Sequence, residues 1–493
     1  MKRCKGGRLT AVRLLRFELY KIGGRRGFLV FLAAMLGVNL FLLWYTGRPS
    51  AGEPAPAAYR ALSADLQGKT KEQKRALIEE AYEQAEAFAL IAEIETVRAQ
   101  DTREGDALAA RLLSEQPDLY ERYREKYDAG ARPRYAADLT AERRLLSDIR
   151  GELIRCEGYD SYLDGIEQRA RRLSGVSIFA SGDGGESFSS RNIRRTAEDY
   201  AGMRGVTLSF DVSRGFEEVT GFLPTDVLAL LLLFALSAVL IFGEKQRNLF
   251  LLTRPTGGGR TAALAAKVLA MAVSAAGVVL LLYGSSLLYE AAASGLGDLG
   301  RSLQSVSAFF GSPLRISAGE YLLLYLGTKW VSCAAAGLLT LLAAVFFRRP
   351  AAAFALLAAV FGCGFALSAL IPSSSVLAPL KYLNPAAALQ VNQLYGQYLN
   401  LAVFGRPVGL IPLFFLFLAL LIVLLTAALF LTFHRRRDFS AGGGRRLPIF
   451  GRRGVKKTSH GTGLWAHEGY KLVSYTHLDV YKRQRWCPST GSM

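Results

Sequence analysis

Long apolar runs alternate with polar stretches along residues 27–433 of the chain. Six of the runs carry little or no charge and reach the length of about 20 residues that a helix needs to cross a bilayer. They cover residues 27–46, 223–242, 263–288, 321–347, 351–371 and 409–433. The pattern predicts an all-α polytopic membrane protein with six transmembrane helices.

The long polar stretch at residues 47–222 separates the first two apolar runs. Its segments 58–100, 107–128 and 135–173 are rich in Ala, Glu, Arg and Leu, which are strong helix formers. Apolar residues recur at helical spacing at Ile78, Ala81, Ala85, Phe88 and Ile91. Such a stripe is typical of ordinary core packing. We expect a large helical domain with coiled-coil character. Apolar and polar residues alternate weakly over residues 206–212, which would allow one short strand.

Charge and composition favour a membrane protein with one strongly basic side. The chain is 51% hydrophobic with a net charge of +19, and most of the Lys and Arg near the spans lie in residues 1–26, 243–267, 348–349 and 434–457. An even number of spans puts all these segments on one side, which the positive-inside rule makes cytoplasmic. Residues 47–222, 289–320 and 372–408 are then extracellular. The basic tail contains no folded module for nucleic-acid binding.

The first 26 residues predict an amphipathic helix that lies in the membrane interface. Leu15, Leu19 and Ile22 recur at helical spacing, and charged residues are interleaved with them. Glu18, Tyr20 and Lys21 belong to this cytoplasmic segment. A basic flank before the first span is the simpler interpretation.

The basic loop between the second and third runs, residues 243–262, carries a recognisable arrangement. Glu244 is followed by the segment LLTRP at 251–255 and then by Arg260 and Lys267. The arrangement resembles the first cytoplasmic loop of ABC transporter permeases of the type-2 exporter family. The alternative is a basic loop that only sets the topology.

The resemblance implies roles for the charged residues of this loop. A coupling helix would touch a separate ATPase subunit, with Glu244 and Arg254 as contact groups. Arg260 and Lys267 would anchor the start of the third span at the lipid headgroups. The glycine run 257–259 departs from the family pattern and puts a rigid coupling helix in doubt.

The same resemblance implies a bacterial permease subunit in the plasma membrane. Residues 1–26 resemble the elbow helix of such permeases, and residues 372–408 resemble their pair of short helices that dip into the outer leaflet. Segments 159–163, 190–193 and 196–200 resemble large-ectodomain permeases of Gram-positive gut bacteria. ATP and Mg²⁺ would bind the partner ATPase, and the chain would act with membrane lipids and as a homodimer or with a second permease half. The exported substrate would be peptide-like or lipid-linked.

No pattern in the chain predicts catalysis or a metal site. No strand followed by a Walker A sequence is present, the five cysteines are scattered, and the four histidines form no HExxH motif. We therefore expect a transport subunit without enzymatic activity or a cofactor of its own.

One charge, Lys329, lies inside an apolar run, and two interpretations are open. An intramembrane lysine can be functional because a charge in the bilayer is costly. Alternatively Trp330 marks the outer interface and Lys329 snorkels to water there.

The end of the chain has a different character. Residues 434–472 form a basic linker, and residues 467–472 share Glu-x-Tyr-Lys with residues 17–22, which suggests the start of a second permease half. Residues 473–493 resemble an artefactual tail found on unrelated metagenome-assembled proteins, so we expect them to be non-native.

Two other classes of membrane protein compete with the permease. A non-transport scaffold or surface receptor would present the coiled-coil-like domain without needing the 243–262 loop. A secondary transporter would use paired intramembrane charges, and Lys329 is the one such charge that the apolar pattern reveals.

Overall fold

Six long apolar helices form the frame of the protein. The computed structural model describes residues 4–174, 188–250, 261–373, 375 and 377–435. Within this part of the chain, six helices are long and apolar enough to cross a membrane; spans 1 to 6 are Arg26–Thr46, Arg214–Gln246, Thr261–Ala293, Ala318–Phe346, Pro350–Leu370 and Leu410–Arg435. The predicted all-α polytopic fold with six spans is confirmed.

The six crossings define two sides of the membrane. The loop side contains the starts of spans 1, 3 and 5 and the ends of spans 2, 4 and 6. It also holds the amino-terminal helix Cys4–Gly23, which packs along span 3. The domain side contains the other span ends and the inserted domain, residues 47–213.

Span 4 lies at the centre of the bundle. Its most apolar window is 67% buried, against 17% for that of span 1. Span 4 begins with a capping box, in which Ser317 and Glu320 satisfy each other's backbone N–H groups. Span 3 has 33 residues, so it is about 50 Å long and extends beyond a hydrocarbon core of about 30 Å.

Spans 2 and 3 approach closely on the domain side. A Cβ atom at Gly215 would lie 2.2 Å from the Gly295 carbonyl oxygen. Only glycine fits at residue 215, and the start of span 2 therefore packs tightly against the end of span 3.

The described part of the inserted domain contains seven α-helices. They are Pro56–Leu66, Lys71–Arg98, Arg103–Glu115, Pro117–Asp128, Leu139–Glu157, Tyr159–Ser174 and Phe188–Ala201. Each of the three expected helical stretches is split at a local signal. Gly68 adopts a φ of 74° before the capping box of Thr70, Pro117 opens a new helix, and Gly158 caps the Leu139–Glu157 helix.

The expected stripe on the Lys71–Arg98 helix faces the domain core. Ile78, Ala85, Phe88 and Ile91 are buried, and the Phe88 ring meets the Tyr127 ring edge-on at 5.5 Å. The stripe is thus core packing, as its spacing indicated.

The short strand that residues 206–212 allowed is absent from the structure. The segment is irregular, and side chains satisfy several of its backbone groups in place of a partner strand. The Phe210 carbonyl accepts from Lys74 Nζ at 2.8 Å, and Arg301 donates to the carbonyls of Asp211 and Val212.

The described residues between spans 5 and 6 form two short α-helices, the 3-10 turn Ala387–Leu389 and a hairpin on the domain side. The helices are Ala378–Tyr382 and Val391–Tyr395. Strands Asn400–Val403 and Arg406–Gly409 pair antiparallel through a two-residue turn in which Phe404 and Gly405 both have positive φ, at 48° and 75°. Such a turn matches the twist of the two strands.

Candidate functional site

Four charged side chains meet on the loop side, where span 2 ends and span 3 begins. Glu244 Oε1 lies 2.5 Å from Lys21 Nζ and 2.7 Å from Lys267 Nζ. Glu18 contacts the same two lysines, at 2.5 Å and 2.6 Å. These four residues form what we call the loop-base network, in which two acids and two bases neutralise one another.

The loop-base network is shielded from water. The exposed fraction of the side chain is 2% for Lys267, 8% for Glu18, 14% for Glu244 and 17% for Lys21. Burial acts to lower the pKa of Lys21, but Glu244 and Glu18 act in the opposite direction and keep it above its ordinary value. Lys21 is therefore charged at neutral pH.

The network corrects the expected position of Lys267. We expected this lysine to anchor span 3 at the lipid headgroups, but it is buried and ion-paired. Its span extends beyond the hydrocarbon, and the amino-terminal helix covers it there. Tyr20 lies on the same amino-terminal helix and is 78% exposed, so it takes no part in the network.

Of the other residues of the expected coupling loop, the structure describes Glu244 but not Arg254 or Arg260. Glu244, expected to contact a partner, has its Oε1 atom engaged by two lysines, so its charge is largely satisfied within the chain. Arg254, Arg260 and the glycines 257–259 lie outside the described residues, as do residues 436–493. The expected second permease half and non-native tail lie in that last range.

Span 2 changes its winding just before the network. Residues Ala238–Phe242 form a π-helical turn, after which Gly243–Gln246 is α-helical again. A Cβ atom at Gly243 would lie 2.7 Å from the Arg25 guanidinium at the start of span 1. π-Helical turns inside α-helices occur frequently at functional sites.

Lys245 ties the end of span 2 to the end of span 4. Its Nζ donates to the carbonyl oxygens of Ala344, Val345 and Phe347 at 2.5, 2.8 and 2.8 Å. An ammonium group at a helix C-terminus is stabilised by the helix dipole and satisfies otherwise unpaired carbonyls. Further along, the buried Phe250 ring lies 5.6 Å from the Phe433 ring of span 6.

A second buried charge pair joins spans 2 and 4. Lys329 Nζ forms an ion pair with Asp226 and donates to the carbonyl of Leu389 in the segment between spans 5 and 6. Asp226 also accepts a hydrogen bond of 2.5 Å from the Tyr283 hydroxyl of span 3. Lys329 is 2% exposed, so the snorkelling interpretation is wrong. Trp330, beside it, donates its indole N–H to the Ala272 carbonyl at 3.0 Å.

Neutral polar groups extend this pair to span 1. Asn39, which is fully buried, donates to Ser286 Oγ at 2.9 Å and accepts from Thr225 Oγ1 at 2.8 Å. The Asp226–Lys329 pair and this cluster together hold spans 1 to 4 at one level. Buried polar groups need such partners because each unsatisfied group is costly.

The two charged sites lie at opposite ends of the apolar bundle. Asp226 and Glu244 are eighteen residues apart on span 2, which corresponds to about 27 Å along a helix. That separation approaches the hydrocarbon thickness of about 30 Å. The loop-base network and the Asp226–Lys329 pair therefore lie near the two edges of the bilayer.

Asp226 and Asn39 were not among the residues that the sequence pattern indicated. Asp226 is the fourth residue of an apolar run, a position that is typical of the polar end of a transmembrane helix. A usable signal was available, because a lone lysine inside one span calls for a carboxylate at the same depth in another.

Metal-ligating clusters and similar proteins were sought as further pointers to a function. Among the described residues, no group of three His, Cys, Asp or Glu side chains could hold a metal ion. Comparisons of the chain with protein-family models, curated proteins and solved structures gave no match. The loop-base network and the Asp226–Lys329 pair are the two buried charged sites that link the spans.

Proposed function

We propose that this chain is the permease subunit of an ABC exporter in a bacterial plasma membrane. The loop after span 2 would receive the motion of a separate ATPase that binds ATP and Mg²⁺. The loop-base network carries the proposal. It joins both ends of that loop, through Glu244 and Lys267, to the amino-terminal helix, through Glu18 and Lys21.

Force on the loop would spread directly to several spans. Lys267 belongs to span 3 and Lys245 holds the end of span 4, so a push on the loop cannot move span 2 alone. The π-helical turn Ala238–Phe242 supplies a place where span 2 can bend. A displacement at the loop side would thus become a change in the angles between spans.

At the domain-side edge of the bundle, the substrate exit would stay closed until the angles between the spans change. There the Asp226–Lys329 pair and the Leu389 carbonyl tie spans 2 and 4 to the segment between spans 5 and 6. Separating buried charges is costly, so this contact suits a gate that opens only when work is done on it. A peptide-like or lipid-linked substrate would leave beside the inserted domain.

Orientation and oligomeric state follow from the same proposal. The basic residues at the loop-side ends of the spans make that side cytoplasmic by the positive-inside rule.

Spans 5 and 6 expose large apolar side chains, among them Leu356, Leu370, Leu420 and Leu424, which suit lipid or a second permease half.

Purification of the tagged chain from its native membrane in mild detergent tests the proposal. We expect a P-loop ATPase to co-purify in stoichiometric amount, and the variant Arg254→Ala to lower its recovery about tenfold, the effect of losing one charge-assisted contact. Arg348→Ala is the matched control because Arg348 is an exposed arginine on the same side, in the turn between spans 4 and 5. Absence of any ATPase across detergents would favour the non-transport scaffold or receptor instead.

A further inference from the structure

A small cavity opens on the domain side where span 1 meets the inserted domain. Its volume is about 200 Å³, and its wall includes the ends of spans 1 and 3 and the start of span 2. Ligand sites for drug-sized molecules usually measure about 300–1,000 Å³. The cavity is therefore suited to a small polar group rather than to a peptide.

Glu290 is the residue that makes the cavity unusual. It lines the cavity, is 5% exposed, and accepts a hydrogen bond of 2.8 Å from Ser294 Oγ. Within the described part of the chain, no lysine or arginine forms an ion pair with its carboxylate. A buried carboxylate with a single hydroxyl partner is poorly compensated.

Two further features disfavour a negative charge at this position. Glu290 stands in the last turn of span 3, where the helix dipole presents its negative end. Glu218, a second carboxylate, lines the same cavity, and its charge is offset only in part by Arg214, which also lines the cavity and forms an ion pair with Glu218 at 2.5 Å. A cation bound beside Glu290 would compensate its buried carboxylate.

The wall of the cavity also carries an arginine that has no ion pair with Glu218. Arg48 lines it, and its guanidinium stacks on the Trp44 ring at 3.6 Å from the ring centre. Phe41, Trp44 and Tyr45 are exposed at this end of span 1. Aromatic residues in that position are typical of the headgroup level of a bilayer, so the cavity opens where lipid headgroups lie.

We propose that this cavity binds the head group of a zwitterionic lipid that carries a primary ammonium, the phosphoethanolamine class. The ammonium would lie at Glu290 and the phosphate at Arg48. A primary ammonium is preferred because it can donate hydrogen bonds to the buried carboxylate, which a quaternary ammonium cannot do. The proposal is independent of the exporter function and holds for a scaffold equally well.

Native mass spectrometry and thermal unfolding of the full-length purified chain test this site. The probes are dioleoyl-phosphatidylethanolamine, dioleoyl-phosphatidylcholine and water-soluble phosphoethanolamine. We expect the ethanolamine lipid to bind at least about tenfold more tightly than the choline lipid, and Glu290→Gln to abolish that preference. Glu115→Gln, an exposed carboxylate of the inserted domain, is the matched control and should keep it.

A second measurement separates a binding role from a structural one. In the choline lipid, Glu290→Gln should melt at a higher temperature than the unmodified chain because an uncompensated buried charge is gone. In the ethanolamine lipid that advantage should shrink or reverse. Equal binding of the two lipids, or a preference that survives Glu290→Gln, would overturn the proposal. Binding of free phosphoethanolamine as tight as that of the lipid would overturn the lipid source and leave a soluble phosphoethanolamine as the ligand.

Discussion

At the scale of single residues, the pairing of Lys329 with Asp226 is the feature with the largest expected effect. Lys329→Met leaves Asp226 buried without its cation, and Asp226→Leu leaves Lys329 in the same state. Breaking a buried pair from one side costs about 3–5 kcal/mol. We expect both single variants to lower the melting temperature of the purified protein sharply.

The double variant Asp226→Leu with Lys329→Met provides the control for that prediction. Replacing both charges with apolar groups should recover most of the lost stability, because neither charge is left unpaired. If the double variant lost as much stability as the two single variants together, the two charges would not be energetically coupled, which would contradict this prediction.

Glu152 of the inserted domain should make stability depend on pH. The pKa of Glu152 is raised to about 7, mainly by burial and to a smaller extent by the charge of Glu217. The charges of Arg301 and Arg155 and a hydrogen bond donated by Ser213 oppose this shift. A carboxyl whose pKa is higher when folded destabilises the fold as pH rises from about 4.5 to 7, by about 3 kcal/mol in total.

Glu152→Gln removes that titration. The variant should therefore melt well above the unmodified chain at pH 8 and close to it at pH 5, as followed by scanning fluorimetry. The same difference in melting temperature at both pH values would contradict the assignment.

The sequence revealed some of these residues and hid others for a physical reason. Lys329 stood out because a lysine in an apolar run is rare, but its partner could not be identified without the packing of spans 2 and 4. For Lys267, the resemblance to type-2 exporter permeases implies a position at the lipid headgroups. The covering amino-terminal helix, which buries it, is a tertiary feature that no local pattern contains.

At the scale of elements, the π-helical turn of span 2 makes a specific prediction. A π turn contains one residue more than an α turn between the same flanks. Deleting Val239 should convert the turn to α-helix and preserve the register of Asp226 and Glu244 with their partners. We expect this variant to fold with a nearly unchanged melting temperature.

Deletion of Leu231 from the regular part of span 2 is the matched control. It rotates one flank against the other by about 100°, so the charge pairs at the two ends of span 2 can no longer form together. Size-exclusion chromatography should then show aggregated or poorly expressed protein. Equal behaviour of the two deletions would argue against the π turn as a tolerated insertion.

Helix boundaries were predictable where a residue forces them and not elsewhere. Pro117 and Gly158 are breakers that divide the helices of the inserted domain. The hairpin before span 6 was missed because Phe404 is an unusual residue for a turn position with positive φ. It is stabilised from outside, since Arg191 and Arg195 donate to the carbonyls of Gly405 and Pro407.

At the scale of the whole molecule, the proposal fixes which side faces the cytoplasm. In a background with the five cysteines of the chain replaced, Ser114→Cys lies in the inserted domain and Arg349→Cys in the turn between spans 4 and 5. A membrane-impermeant maleimide applied to intact cells should label the cysteine at 114 and leave the one at 349 unlabelled until the cells are opened. The reverse pattern would invert the proposed orientation.

The measurement that tests the exporter proposal most directly is photo-crosslinking from the loop in native membranes. A photoreactive amino acid replaces Leu252 in the loop, and the control replaces Leu108, an exposed leucine of the inserted domain. We expect position 252 to capture a P-loop ATPase, identified by mass spectrometry, and position 108 to capture none. Crosslinks from position 252 that contain only lipid or this chain, at expression levels where the protein is folded, would contradict it.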